Sequence, residues 1–143
     1  MADIYPPDLT SPVGRVRKYI PDLVMLDDPK NPEADPEYYF NDAEIMGFLT
    51  EYTADLEDPA RYQVMFAAAD AIDALANNEA LVLKKIKTED LETDGGTVAN
   101  ALRTGARALR TRAKEEEAEE QVMFDIIPFR HDHPQTVLGR GFR

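Results

Sequence analysis

Proline decides where this chain can hold regular structure. Each proline lacks a backbone N–H, and its ring clashes with a preceding helical turn, so helices must start after one or stop before one. Seven of the ten prolines fall between Pro6 and Pro36, and two more are Pro128 and Pro134. Only Pro59 interrupts the long stretch between. This distribution predicts an extended, acidic, Pro-rich arm over residues 1–40 with one helical turn near 13–19. It further predicts a helical core over 41–120 and an extended C-terminal arm over 121–143. With 143 residues, 43% of them hydrophobic, the chain is long enough for one domain with a modest core.

Within the core, start signals and periodicity agree. Asn41 followed by Glu44 has the spacing of a capping box, with Phe40 and Ile45 at the flanking staple positions. Ile45, Phe48, Leu49 and Tyr52 then recur on one helical face. Asp58-Pro59 reads as an N-cap followed by a proline at the first helical position, opening a helix over 59–77. Its apolar stripe is Tyr62, Met65, Phe66, Ala69, Ile72 and Ala76, and Ala67-Ala68-Ala69 lets a neighbouring helix approach closely. Residues 79–92, around LVLKKIK, have an ambiguous period and are read as extended. Val98, Leu102, Ala106, Leu109 and Ala113 mark the longest helix, about 97–120, which ends in KEEEAEE, a strong helix former that is polar all round. The expected fold is mainly α: a small bundle of three to four helices with extended arms.

Several chemistries lack their residues. The absence of cysteine excludes disulfides and thiolate sites. Asp94-Gly95-Gly96 precedes a helix as a phosphate loop would, but no Lys or Arg lies between Lys87 and Arg103, and four acids surround it. It reads as a corner, with glycine supplying φ > 0 and Asp94 or Thr97 capping the helix. His131-Asp132-His133, with Asp125 nearby, lacks the rigid scaffold and supporting groups that a catalytic metal requires. Both histidines lie in the tail, and the carboxylates have no acid/base pattern. The reading is non-enzymatic, with no catalytic residues, no metal site and no cofactor. MADIYPPDLT has no basic region followed by an apolar run, and no segment has bilayer-spanning length. A soluble protein without an export signal or a membrane partner is expected.

Charge supplies the remaining clues. The formal net charge is −12, and residues 21–60 hold twelve acids against Lys30 alone. Such a surface does not grip nucleic acid. Arg103, Arg107, Arg110 and Lys114 nevertheless form a basic stripe along the long helix. It is read as a solvated face, as a partner for the acidic 41–58 region in the same chain or a neighbour, or as the lining of a DNA path. The apolar run in 122–127 needs a covering surface on this subunit or another.

The order of VGRVRKYIPDL (13–23), YFNDAEIMGFL (39–49), FAAADAIDALANNEALVLKKIKTEDLETDGG (66–96) and TVANALRTGARALRTRA (97–113) resembles the head-to-tail connector, or head-completion adaptor, family of long-tailed bacteriophages. The resemblance covers roughly 13–113, and its most specific element is the helix start at 40–45. The acidic insert at 27–38 and everything from KEEEAEE onward depart from the pattern. The resemblance implies a structural subunit of the virion neck, assembled in the bacterial cytoplasm as a ring, typically twelvefold, beneath the portal. Its partners would be further copies of itself, the portal protein, and the next stopper or tail protein, with DNA passing through without sequence-specific binding. On this reading Val122, Met123, Phe124, Ile126, Ile127, Phe129 and Arg130 contact the portal or a neighbouring subunit. Arg103, Arg107, Arg110 and Lys114 then serve inter-subunit contacts or the channel. The competing reading is an acidic DNA mimic that sequesters a basic partner through residues 21–60.

Overall fold

Four helices account for the regular structure of the computed structural model, which describes residues 5–20, 22–28, 30–78 and 95–126. They are α1 (Pro12–Tyr19), α2 (Asp42–Thr50), α3 (Arg61–Asn77) and α4 (Gly95–Ile126). The expected mainly helical bundle is what forms, and the described residues contain no strand, only an isolated antiparallel bridge between Leu26 and Glu37. That bridge exchanges two backbone hydrogen bonds of 2.8 and 3.0 Å. It closes the acidic insert into a loop pinned at its base.

α3 is the central element, packed against α1, α2 and, most extensively, α4. Its sequence explains why. Consecutive helical residues point about 100° apart, so three buried neighbours in a row require packing on several sides. Ala67, Ala68 and Ala69 are all fully buried, and their small side chains let three helices close on one axis. Val64, Met65, Ile72 and Leu75 fill the wider gaps between them. The predicted stripe therefore describes one side of a helix that is covered on most of its circumference, with Tyr62 and Phe66 only half-buried.

Part of the N-terminal segment packs into the bundle. Val16, Ile20 and Phe40 join the same core cluster as Ile45 and Leu49 of α2. α1 is a capped helix of eight residues, its Ser11 hydroxyl accepting from the Gly14 N–H, with Pro12 in the first turn. Arg17 then anchors the segment from inside. Its guanidinium is 1% exposed and donates to Asp22 at 2.7 Å, Asp42 at 2.7 Å and the Phe40 carbonyl at 2.9 Å. Its Cζ also lies 3.9 Å from the centre of the Tyr38 ring. Asp22 accepts in addition from the Tyr39 and Phe40 N–H groups. Burial pushes the Asp22 carboxyl above its ordinary value, against the pull of those N–H donors and Arg17.

Three helix ends also move. The Asn41–Glu44 capping box forms as expected, with reciprocal 2.8 Å bonds. α3, by contrast, begins at Arg61, with Ala60 as the N-cap in place of Asp58. Pro59 is packed inside, its carbonyl accepts from Arg15 of α1, and the Gln63 side chain accepts from the Ala60 N–H. With its Pro59 carbonyl held by Arg15 of α1, the chain enters helical geometry two residues later than the Asp-Pro signal implies. Gly95 and Gly96 are the first two residues of α4, and no described glycine has positive φ, so the turn conformation expected there is absent. Thr97 lies inside the helix, so it is not the cap, and Asp94 lies outside the described residues, as does the segment 79–92. Finally, α4 runs to Ile126, so residues 121–126 are helical and not extended.

Candidate functional site

α3 and α4 run antiparallel, and three polar contacts fix their register. Arg61 meets Glu116 at 3.5 Å, Asp70 meets Arg110 at 2.7 Å, and Asn77 accepts from Arg103 at 3.0 Å. With 32 residues, α4 is about 48 Å long, against about 26 Å for the 17 residues of α3. Once α3 has begun at Arg61, the remaining ten residues of α4 continue for about 15 Å past its end.

Spacing along α4 shows what this overhang exposes. Ala106 and Ala113, seven residues apart, are fully buried against the bundle. The same face continues at Glu116, Glu120 and Met123. It turns acidic and then apolar where α3 no longer covers it. Val122 is 53% exposed and Met123 70%, although burial of either side chain would be worth about 1.5–3 kcal/mol. Beside them opens a groove of about 740 Å³, bounded on the α3 side by Arg61 and Tyr62. On the α4 side Glu116, Glu119 and Glu120 line it, with Ala118 between them.

Of the apolar residues singled out from sequence, Val122 and Met123 thus stand on an exposed helical projection. Phe124 and Ile126 follow on the same helix backbone, while Ile127, Phe129, Arg130 and the two histidines lie outside the described residues. Sequence reading missed Tyr62 and the three glutamates as a lining. The signal was available in the seven-residue recurrence 106, 113, 120, whose third member is a glutamate.

The basic stripe divides. Arg110 is committed within the chain: it bonds Asp70 at 2.7 Å and Asp73 at 2.6 Å, both on α3 and not in the acidic 41–58 region. The Asp70 hydrogen bond holds its guanidinium above the ordinary value. Asp70 in turn accepts from the Tyr52 hydroxyl, and burial, together with that bond, pushes the phenol up to about 12. Arg103 is half-buried against Asn77, whereas Arg107 and Lys114 are exposed. Arg103, Arg107 and Arg110 frame a smaller cleft of about 210 Å³ with Asp73 and Asn77.

Among the described residues, no cluster of three or more His, Asp or Glu could hold a metal ion, and no helix is long and apolar enough to cross a membrane. The acids of the 21–60 block are mostly exposed, Asp22 and Asp42 being the pair spent on Arg17. No protein family, curated protein or solved structure matches the chain.

Proposed function

We propose that the protein is a structural head-to-tail adaptor of a long-tailed bacteriophage. In this role it forms a homo-oligomeric ring, twelvefold by the family's habit, below the portal in the virion neck. The ring extends the DNA channel and offers a platform to the next stopper or tail protein. The observation that carries the reading is the α4 overhang: a helical projection, continuous with the core, that holds Val122 and Met123 in solvent beside an open groove. A monomeric binding protein gains nothing from such exposure, whereas a subunit that joins a larger assembly buries it on docking. The motif order over 13–113 and the acidic body, which suits a conduit through which DNA slides, support the same reading.

The test is a virion-assembly experiment with the double substitution V122D/M123D. Both positions are exposed, so the protein should fold with wild-type helix content. DNA-filled heads should then accumulate without tails in electron micrographs. Normal yields of complete particles would remove the overhang from the attachment site. If particles lacking the protein altogether are also complete, the adaptor role itself fails.

A further inference from the structure

Across the seam between α3 and α4, arginines outnumber the carboxylates that meet them. Asp70, Asp73 and Asn77 recur at i, i+3 and i+7 on one face of α3. Asp70 and Asp73 both bind Arg110, at 2.7 and 2.6 Å, and so neutralise that guanidinium. The third position is an amide: the Asn77 Oδ1 accepts from Arg103 at 3.0 Å and brings no counter-charge to it. Arg107, one turn along α4 from Arg103, is exposed, and no carboxylate among the described residues pairs with either. Three arginines against two carboxylates leave one positive charge over, in a chain whose formal net charge is −12. The partial negative charge at the C-terminal end of α3, about half an elementary charge, does not cancel it. We propose that the cleft of about 210 Å³ framed by Arg103, Arg107, Arg110, Asp73 and Asn77 binds a single phosphate group.

The donor set and the size of the cleft select that ligand. With its Oδ1 turned to Arg103, Asn77 keeps two amide N–H donors, and both guanidinium forks have N–H groups to spare. Residues at i and i+4 of a helix stand about 5–6 Å apart at Cβ, so Arg103 and Arg107 can close on one small anion between them. Three donor groups from two helices answer the three free oxygens of a phosphate, whereas a carboxylate offers two and is satisfied by one arginine fork. The cleft is smaller than the roughly 300–1,000 Å³ of sites that enclose whole small molecules. It therefore takes a charged group and not the body of a ligand. A phosphate free in solution and one carried on a nucleic-acid backbone both present that group. A single contact of this kind touches a nucleic acid without gripping it, in keeping with the acidity of the rest of the chain.

This site does not depend on the adaptor role, and it is tested on the isolated protein. Inorganic phosphate is titrated at neutral pH and fixed ionic strength while the side-chain N–H signals are followed by NMR. Saturable shifts are expected at Arg103, Arg107 and Asn77 with phosphate and not with acetate. R107Q changes an exposed residue and should weaken phosphate binding at least about tenfold. K18Q/K30Q removes twice the charge from exposed sites elsewhere and should weaken it less than about twofold. N77D should abolish binding with every arginine in place, because the new carboxylate pairs with Arg103 inside the chain. A DNA duplex that moves the same signals at lower concentration than phosphate, with an affinity falling as salt rises, would identify the backbone as the source. A duplex that leaves them unmoved would identify free phosphate. Shifts that stay linear in phosphate, equal saturation by acetate, retained binding in N77D, or a K18Q/K30Q effect as large as that of R107Q would each overturn the proposal. Backbone signals of each variant separate these outcomes from loss of fold.

Discussion

The two ends of α4 are helical for different reasons. From Ala106 to Ala113 the helix is held by burial against α3, and Arg110 adds charge-assisted bonds to Asp70 and Asp73. Beyond Glu116, α3 no longer faces the helix, and no other described helix packs against it. There the helix depends on its own sequence: Lys114 to Glu120 are mostly strong helix formers, and Arg112 reaches Glu116 one turn on. An isolated helix of this length is marginal in water, but this one propagates from a nucleus already formed in the bundle. A body can thus lend order to a projecting segment without covering it, leaving the surface of that segment available to other contacts.

That contrast can be broken most sharply in the body. Replacing Arg17 by Met removes three hydrogen bonds and leaves the buried Asp22 carboxylate without its counter-charge, held by the Tyr39 and Phe40 N–H groups alone. The expected loss is about 3–5 kcal/mol in urea denaturation, large enough to unfold a small domain. Gly14→Ala is the next largest. A Cβ there would lie 1.7 Å from the Asp8 carbonyl oxygen, and backbone must move to admit it, at about 1–3 kcal/mol.

A smaller effect lies at the junction of α2, α3 and α4. Tyr52 holds its proton more tightly when folded, so it adds stability that is complete below the unfolded phenol value near 10 and fades as pH rises toward about 12. Ultraviolet titration should show Tyr52 ionising late, and Y52F should remove that contribution and flatten the alkaline loss of stability. In the overhang, V122S/M123S should change the unfolding free energy from urea denaturation by no more than about 0.5 kcal/mol. A larger loss would mean that the projecting turns are packed after all, and the contrast between the two ends would fall.

What the sequence made legible was local. The Asn41 box, the stripes of α2 and α4 and the mainly helical fold all follow from patterns spanning a few turns. The Ser11-Pro12 start of α1 carries the same kind of signal as Asp58-Pro59, yet proline density over 6–36 outweighed it. The buried ion pair was hidden because Arg17, Asp22 and Asp42 meet only through the path of the intervening loops. Residues 121–126 were misjudged for a different reason. Val, Phe and Ile favour extended structure, but in a helix each costs only a few tenths of a kcal/mol relative to the best helix formers. A helix already running is stopped by neither, and the first strong stop signal is Pro128.

The continuity of α4 also fixes a direction. Because one unbroken rod joins the bundle to Met123, the compass bearing of its tip is set by the residue count after Ala113. One alanine inserted after Glu117 would rotate Val122 and Met123 by about 100° and advance them only about 1.5 Å. The composition of the projecting turns would hardly change. Whatever docks there must read angle as well as chemistry, and the length of the helix becomes the gauge of that angle.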